Sequence, residues 1–434
     1  MAAYPESQRV FVVDGSRTPF LKARGAPGPF TPVDLAVQAG RPLLLRQPFA
    51  PEAIDEVVLG CVNPHYDEVN PGRVAALRLG CGTATPGWTV QRNCGSGMQS
   101  VDNGCQLIAA GRAELVLAGG TEALSHTPVV LPPDMVDWLG QWNAASTTER
   151  ARLLAALRPG HFAPVITLLR GLTDPVCGLN MGQTAEVLAH RFGIRREDAD
   201  EYALESHKRL DAAREDGRLD EIEPLYDAEP DDGDGFHDRD DGVRPDSTVE
   251  DLGKLSPVFE KPYGQVTAGN SSQVTDGAAW LLLASERACE RHGLEPLGRI
   301  ADTEWAALPP EVMGLGPVFA SSPLLDRAGL ALDEVDLWEI NEAFAAQVLS
   351  CLAAWNDADF CRQYLKADGA LGMIDRERLN ADGGAIAVGH PVGTSGTRIV
   401  LHLLKALRHA DKRQGIATEC IGGGMGGAML VEVV

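Results

Sequence analysis

Apolar side chains recur at helical spacing directly after two glycine-rich segments of this chain. After Met98 the apolar positions are Val101, Cys105, Ile108 and Ala109. After Gly396 they are Ile399, Val400, Leu403, Leu404 and Leu407. Because a repeat of three to four residues places side chains on one face of a helix, the pattern predicts two amphipathic helices, each beginning at a glycine-rich turn.

A third glycine-rich segment near the C-terminus lies between two apolar runs. Residues 416–420 have strand character, five glycines follow between Gly422 and Gly427, and residues 429–433 form the second run. This order predicts a strand, a tight glycine loop and a returning strand.

Two parts of the chain echo each other. Residues 55–63 run from Asp-Glu-Val through an apolar stretch to an asparagine, and residues 333–341 repeat that order. Each is followed by a glycine turn, a helix and a second strand, namely residues 114–118 with two glycines after them and residues 416–420 with theirs. The echo predicts a duplicated unit of alternating strands and helices.

The stretch from Ser125 to Ser256 has no counterpart in the other half. It contains a charged helix predicted over 197–213 and an acidic run over 227–241. It also contains apolar residues that fit helical spacing and predict an apolar helix face: Phe162, Val165, Ile166, Leu169 and Leu172.

Charge and cysteine usage narrow the partners and the compartment. The 434 residues carry 38 basic and 61 acidic side chains, a net charge of −23, which argues against nucleic acid or an anionic membrane as a general partner. No apolar run approaches the roughly 18 residues of a membrane span. The nine cysteines form no CxxC pair and no metal-ligand spacing, and Met1–Gln8 lacks the features of a leader, so we expect a cytoplasmic protein without structural disulfides or metal.

Candidate chemistry lies at the glycine-rich turns. Cys94 precedes the first predicted helix, where backbone N–H groups and the helix dipole favour a thiolate. His390 lies in the turn before the second helix, and Cys420 opens the C-terminal glycine loop. A base, two thiols and exposed N–H groups are the components of acyl transfer.

Each of these residues also has an ordinary structural interpretation. Cys94 could be an inert buried cysteine, and His390 could be a core histidine with satisfied hydrogen bonds. Asn341 could cap the helix that passes through Phe344, Val348 and Leu352.

Four ordered motifs make the chain resemble the thiolase family. They are Asn93–Gly97 (Asn-Cys-Gly-Ser-Gly), Asn341–Phe344 (Asn-Glu-Ala-Phe), Gly389–Pro391 (Gly-His-Pro) and Cys420–Gly422 (Cys-Ile-Gly). Further similar segments are Arg17–Phe20, Gly119–Glu122, Met181–Glu186, Thr267–Ser272 and Met313–Pro317. The resemblance covers essentially the whole chain.

The resemblance implies an α/β thiolase fold in which two duplicated halves form a five-layered α/β/α/β/α core. A loop domain that covers coenzyme A is inserted into the first half. The implied domain ranges are 1–124 and 257–292 for the N-terminal half, 125–256 for the loop domain and 293–434 for the C-terminal half.

It also implies an acyltransferase that cleaves 3-ketoacyl-CoA with coenzyme A, or runs the reverse condensation, through an acyl-Cys94 intermediate. His390 would be the base and part of an oxyanion hole, Asn341 would hold the water of that hole, and Cys420 would be the acid/base. The backbone N–H groups of Cys94 and Gly422 would form the second oxyanion hole. Coenzyme A would be a substrate, with no permanently bound cofactor.

For substrate contacts, the resemblance matches Ser272 to a serine close to the pantetheine and Arg244 to an arginine near the adenine phosphate. Met181 and Met313 match methionines that line the acyl pocket. A surface arginine and core methionines are the ordinary interpretations of the same residues.

The subtype and the assembly have alternatives. Asn180 stands where compact biosynthetic thiolases carry histidine, and the long segments 128–177 and 356–379 are similar to the thiolase subunit of trifunctional fatty-acid oxidation complexes. That subunit, however, commonly carries histidine at the position of Asn341. The family implies a homodimer or tetramer. The apolar face within 162–172 suggests docking of a hydratase/dehydrogenase subunit, and the alternatives are contact with a membrane, a roof over a long acyl tunnel, or packing onto its own loop domain. A non-catalytic acyl-CoA binding or scaffold subunit is the alternative function, and condensing synthases are less similar because they lack the Cys-x-Gly motif.

Overall fold

The computed structural model describes residues 9–230 and 234–434. Met1–Gln8, which enter the localisation prediction, and residues 231–233 of the acidic run lie outside the described residues. The strands within the described ranges are β1 (Val10–Arg17), β2 (Leu21–Lys22), β3 (Glu56–Gly60), β4 (Gly87–Val90), β5 (Leu115–Ala123), β6 (Val129–Val130), β7 (Val165–Ile166), β8 (Leu225–Tyr226), β9 (Phe236–His237), β10 (Thr275–Ser285), β11 (Gly298–Ala307), β12 (Leu337–Ile340), β13 (Gln414–Ile421) and β14 (Met425–Glu432).

The helices of the same ranges are α1 (Pro32–Leu45), α2 (Pro71–Arg78), α3 (Ser96–Ala109), α4 (Pro133–Ala144), α5 (Thr147–Ala155), α6 (Thr167–Gly171), α7 (Met181–Phe192), α8 (Arg196–Glu215), α9 (Val249–Gly253), α10 (Glu286–His292), α11 (Gly316–Ala328), α12 (Ala345–Asn356), α13 (Ala358–Phe360), α14 (Ala385–Val388) and α15 (Ser395–His409). In the part of the chain that the structure describes, no helix combines the length and apolarity of a membrane span.

The large sheet is built from two halves with the same order of elements. Its strands run β12-β13-β14-β11-β1-β10-β5-β3-β4, and β2 pairs with β10. The halves meet where β1 and β11 pair antiparallel, with Val10 opposite Ile300. In each half a parallel pair, β3 with β5 and β12 with β13, is followed by an antiparallel pair, β5 with β10 and β13 with β14. Along the chain β3, α3 and β5 correspond to β12, α15 and β13. The predicted duplication is therefore confirmed.

Three apolar clusters separate the molecule into layers. One lies between α1, α2 and the outer face of the N-terminal half-sheet, and another lies between α11, α12 and the outer face of the C-terminal half-sheet. The third contains Met98 and Val101 of α3, Ile399 of α15, and strand residues of both halves. Because α3 and α15 lie between the two half-sheets, the order is α/β/α/β/α, as predicted.

Glycines at the end of β5 extend the strand instead of ending it. The strand predicted over 114–118 continues through Gly119 and Gly120 to Ala123. A Cβ atom on Gly119 would collide with the Trp280 ring of β10, and one on Gly120 would collide with the Gly393 carbonyl of the histidine loop. The glycines therefore permit close packing of β5 against β10 and against the histidine loop.

The prediction of one apolar helix face over 162–172 is wrong. Val165 and Ile166 form strand β7 and pair with β6, and only Thr167–Gly171 is helical. Pro164 favours extended backbone at its neighbour, and two β-branched residues follow it, so the hairpin is the better local solution. The helical spacing of these apolar residues was coincidental.

Candidate active site

Cys94 lies between β4 and the first turn of α3, as the sequence predicted. Gly95 is the N-cap residue of α3, and Asn93 has a left-handed backbone with φ 46°. The Asn93 side chain donates through Nδ2 to the carbonyl of Gly422 at 2.8 Å. The nucleophile loop and the C-terminal glycine loop are therefore tied together at the thiol.

The Cys94 thiol is protonated at rest. Burial raises its pKa to about 11, whereas the N–H groups of Gly422 and of Cys94 itself act to lower it. Desolvation therefore outweighs the N–H groups that favour the thiolate. Proton removal therefore requires a base.

His390 has the protonation state that such a base needs. Its backbone N–H donates to the carbonyl of Gln273 at 3.0 Å, and its ring is almost fully buried. Burial, with a smaller effect from Arg398, lowers the pKa of His390 to about 4, so the imidazole is neutral at physiological pH. Nδ1 lies 2.6 Å from the Ser395 hydroxyl, which in turn lies 3.3 Å from the Pro391 carbonyl. When that hydroxyl donates to the carbonyl, Nδ1 donates to the hydroxyl and Nε2 carries the free lone pair.

Asn341 lies beside the histidine ring and does not cap a helix. Helix α12 begins at Ala345 with Phe344 at its N-cap, so the capping interpretation is wrong. The Nδ2 atom of Asn341 lies 3.5 Å from both ring nitrogens of His390, and its buried Oδ1 has no protein hydrogen-bond partner. Its amide therefore belongs to the same polar group as His390.

Cys420, the next-to-last residue of β13, lies in an apolar pocket. Its neighbours are Met313 and Ala343, with the partly buried Met181 and Phe344 against them. Burial raises the pKa of Cys420 well above its ordinary value, and charge on Cys94 or Cys351 raises it further. The structure therefore brings the second thiol and both predicted methionines to the site, within electrostatic range of Cys94.

The loop after Cys420 exposes backbone to the site. Gly423 and Gly424 have φ values of 92° and 78°, a region that glycine adopts without strain. A Cβ atom on Gly422 would lie 3.3 Å from the Met181 sulfur, so the glycine keeps the N–H beside Cys94 accessible.

Ser272 and Arg244 lie at different depths. The Ser272 N–H donates to the carbonyl of Ala343 at 3.0 Å, which places Ser272 next to the thiol pocket. Arg244 is exposed, and its N–H donates to Nδ1 of His207 at 3.2 Å. Burial, with smaller effects from the charges of Arg244 and Lys22, lowers the pKa of His207 to about 4. Arg244 therefore belongs to a small cationic cluster at the rim.

Sequence reasoning did not assign two buried carboxylates that hold the site loops. Glu122 accepts from the N–H groups of Val62, Asn63 and Gly393 at 3.0, 2.9 and 3.0 Å. Glu342 accepts from the N–H of Ile386 at 3.1 Å and from the hydroxyl of Ser206 at 2.7 Å. Both lie inside segments that the sequence singled out, but only the fold shows which loops they join.

The site combines two protonated thiols, a neutral imidazole, a buried amide and free backbone N–H groups. This set suits nucleophilic attack on a carbonyl carbon with stabilisation of the resulting oxyanion. Across residues 9–230 and 234–434, no three His, Cys, Asp or Glu side chains are grouped so that they could hold a metal ion.

Comparisons with known proteins agree with this chemistry. The model of the thiolase N-terminal domain matches residues 10–287, and that of the thiolase C-terminal domain matches residues 294–433. The chain is 38% identical over 425 residues to the human mitochondrial 3-ketoacyl-CoA thiolase, covering 98% of each protein. It is 38% identical over 392 residues to the acetyl-CoA acetyltransferase of Shinella zoogloeoides, covering 90% of each.

Solved structures give the same result. The crystal structure of human mitochondrial 3-ketoacyl-CoA thiolase in complex with CoA has a TM-score of 0.84 at 36% identity, covering 100% of this chain and 99% of that chain. The crystal structure of the Bacillus anthracis acetyl-CoA acetyltransferase has a TM-score of 0.85 at 35% identity, covering 98% of this chain and 99% of that chain.

Proposed function

This chain belongs to the thiolase family, and from that membership we propose a role for each residue of the site. As a thiolase it is an acyltransferase that cleaves 3-ketoacyl-CoA with coenzyme A as a substrate, or condenses the products. The observation that supports these roles best is the hydrogen bonding at Cys94, whose sulfur accepts from the backbone N–H groups of Gly422 and of Cys94 itself.

In the first half-reaction the Cys94 sulfur attacks the 3-keto carbon while Nε2 of His390 takes the thiol proton. The bond between the α and β carbons then breaks, and its electron pair forms the enolate of acetyl-CoA. Cys420 protonates that carbon, and an acyl group remains on Cys94. The His390 side chain and a water held by the amide of Asn341 would stabilise the enolate oxygen.

In the second half-reaction the Cys420 thiolate removes the proton from the incoming coenzyme A thiol. The coenzyme A sulfur attacks the acyl carbon, and the N–H groups of Cys94 and Gly422 bind the oxyanion. Cys94 leaves as a thiolate and recovers its proton from His390. Cys94 and Cys420 are then protonated thiols again, and His390 is again a neutral imidazole.

The substrate contacts are also proposals. Met181 and Met313 would line the acyl side of the pocket, as their position around Cys420 supports. Ser272 would contact the pantetheine, and Arg244 with its cationic neighbours would face a phosphate. A cationic cluster is needed there because the whole chain is acidic.

Acyl trapping tests the assignment. We expect Cys94→Ala to lower kcat by roughly 10⁴-fold or more while coenzyme A binding persists, because the acyl-enzyme needs that sulfur. Mass spectrometry of the wild type incubated with acyl-CoA should show the acyl group on Cys94. Cys351→Ala is the matched control, since Cys351 is a buried thiol near Cys420 that is given no role. An acyl group on Cys420 would overturn the assignment.

A non-catalytic acyl-CoA binding or scaffold role is not favoured. Binding alone would require neither the thiol pair nor the neutral imidazole. The names of the similar proteins also describe catalysis.

We also propose a cytoplasmic location and a homo-oligomer. All nine cysteines are unpaired, which supports a reducing compartment. The inserted segment, residues 128–177, supports a further surface, because its apolar side chains are exposed at Val129, Phe162, Ile166 and Leu169. We propose that this segment docks a second subunit, with a hydratase/dehydrogenase partner as the candidate.

A further inference from the structure

Glu419 lies directly before the catalytic Cys420 but faces the opposite side of β13. Neighbouring side chains of a strand point to opposite faces of the sheet. Cys420 faces the thiol pocket, whereas Ala417, two residues before Glu419, belongs to the apolar cluster around α3 and α15. A Cβ atom on Gly396 would collide with Oε1 of Glu419 and with Met98, so the carboxyl group lies between the first turns of these helices.

The carboxyl group of Glu419 is fully buried, and neither oxygen has a hydrogen-bond partner. The cation near it is Arg398 of α15, which is itself buried and donates to Glu339 of β12 at 3.2 Å. One buried cation therefore faces two buried carboxyl groups and is hydrogen-bonded to Glu339. Two buried anions beside one cation would leave an uncompensated charge, which is costly.

In the part of the chain that the structure describes, the other elements packed against Glu419 place no second cation beside it. Its partner in the register on β14 is Gly427, and α3 presents Met98. Asp102, one turn along α3, accepts from the indole N–H of Trp305 at 3.0 Å. His402 of α15 lies 3.0 Å from Glu221 and acts electrostatically on Glu339, not on Glu419.

The charge of Glu419 is coupled to both thiols. Burial raises the pKa of Glu419 well above its ordinary value, and Arg398 offsets only part of that effect. When Glu419 is ionised, its charge raises the pKa of Cys94 and of Cys420. A neutral Glu419 therefore leaves the thiols free to ionise, and an anionic one opposes them.

We propose that Glu419, buried between the first turns of α3 and α15 without a hydrogen-bond partner, stays uncharged during turnover, and that its ionisation at alkaline pH suppresses thiolate formation at Cys94 and Cys420. The proposal rests on the proposed function only for the roles of the two thiols. It assigns no proton transfer to Glu419 itself.

Alkylation of the substrate-free enzyme tests the coupling. Iodoacetamide reacts with the thiolate, so its rate at Cys94, followed by peptide mass spectrometry across pH, reports thiol ionisation. Glu419→Gln keeps the shape and removes the charge. We expect the midpoint of Cys94 alkylation to fall by about one pH unit, the scale of a nearby like charge.

Glu432→Gln is the matched control. Glu432 also lies on the C-terminal half-sheet, but it pairs with Gln414 at the far end of β13, five residues from Glu419 and about 17 Å along the strand. A midpoint that shifts no further in Glu419→Gln than in the control would overturn the proposal. If Glu419→Gln does not fold, Glu419→Leu removes the same charge with a similar volume, and the same fall in midpoint is required.

Thiolysis rates separate this role from a direct one. We expect Glu419→Gln to have the wild-type kcat near neutral pH, while the pH at which kcat declines on the alkaline side shifts. Glu419→Asp keeps an ionisable group and should retain the wild-type decline of kcat. A fall of roughly 100-fold at neutral pH with unchanged alkylation would make Glu419 a proton carrier and overturn the proposal. Because alkylation needs no acyl-CoA, its result does not depend on which thiol carries the acyl group.

Discussion

Burial of single side chains sets the resting state of the site. Desolvation lowers the pKa of His390 to about 4 and raises that of Cys94 to about 11, so the resting pair is a neutral imidazole and a thiol. A preformed thiolate–imidazolium pair is therefore disfavoured. Substrate binding must provide the polar environment in which the proton moves, and the N–H groups at Cys94 and Gly422 are placed to do so.

The role of Cys420 can be isolated from that of Cys94. We expect Cys420→Ser to slow the exchange of acetyl-CoA methyl protons with solvent by roughly 10² to 10⁴-fold, the scale of a lost general acid or base. Acylation of Cys94 should persist, since that step uses His390. The exchange can be followed by NMR in deuterated water, with the acyl-enzyme measured by mass spectrometry.

Cys351→Ser is the control for that experiment. Its sulfur lies 3.2 Å from the carbonyl of Gly314, so it is another buried thiol without a proposed role. Unchanged exchange in Cys420→Ser would assign the α-proton to another group, with His390 as the first candidate.

Sequence identified residues whose chemistry is local and missed those whose chemistry depends on distant neighbours. Cys94, His390 and Cys420 each stand in a glycine-rich motif that carries its own signal. Ser395 and Glu419 stand in or beside these motifs, but nothing in the sequence gives them a role. Their importance follows from a ring nitrogen and from an arginine that only the fold brings close.

At the scale of elements, Glu122 joins the end of β5 to two loops. It accepts from N–H groups in the loop after β3 and in the histidine loop. Burial raises the pKa of Glu122 to about 7, although those N–H groups act to lower it. The same carboxyl group therefore holds the loop that carries His390 and titrates near neutral pH.

We expect Glu122→Gln to lower kcat by roughly 10 to 100-fold, because an amide NH₂ faces N–H donors and leaves buried groups unsatisfied at about 1–3 kcal/mol each.

The contribution of Glu122 to stability changes with pH in a defined direction. Since the folded pKa is raised, this group contributes most stability below pH ~4.5 and loses it as pH rises through about 7. Melting temperatures across that range should fall more for the wild type than for the variant.

The exposed Glu52→Gln is the control, and it should leave kcat and the pH dependence of melting unchanged. Equal melting profiles for Glu122→Gln and the wild type would contradict the assigned titration.

Elements were predictable where several signals agreed. For α3 and α15, helical spacing, a glycine turn and length all indicate a helix. In the inserted segment the spacing alone indicated one, while Pro164 and two β-branched residues favoured strand β7. The paired strand β6 lies more than thirty residues earlier, so its contribution could not be read locally.

At the scale of the molecule, the charge is unevenly distributed. The net charge is −23, yet the inserted segment has four acidic residues (Asp134, Asp137, Glu149, Asp174) and four basic ones (Arg150, Arg152, Arg158, Arg170). Its helices α4, α5 and α6 contain no buried residue. A neutral, apolar surface on an acidic protein is suited to contact another subunit without charge repulsion.

Replacing exposed apolar residues of this segment tests the docking proposal. Ile166 and Leu169 are 45% and 57% exposed, whereas Val165 is partly buried, so the double variant Ile166→Glu and Leu169→Glu avoids damage to the hairpin. We expect it to lose the larger assembly while the smaller oligomer keeps its thiolysis rate, because buried charge at an interface is costly. Light scattering after size exclusion, with coexpressed hydratase/dehydrogenase subunits, measures both.

Leu45→Glu is the matched control, since Leu45 is an exposed leucine at the end of α1, outside the inserted segment. It should leave the assembly unchanged, which separates loss of a specific surface from a general effect of added charge on an acidic chain. If the double variant and the wild type form the same oligomer and no second subunit copurifies with either, the inserted segment is not a docking surface. Its apolar residues would then act within the loop domain over the substrate, and the thiolase would work without a partner subunit.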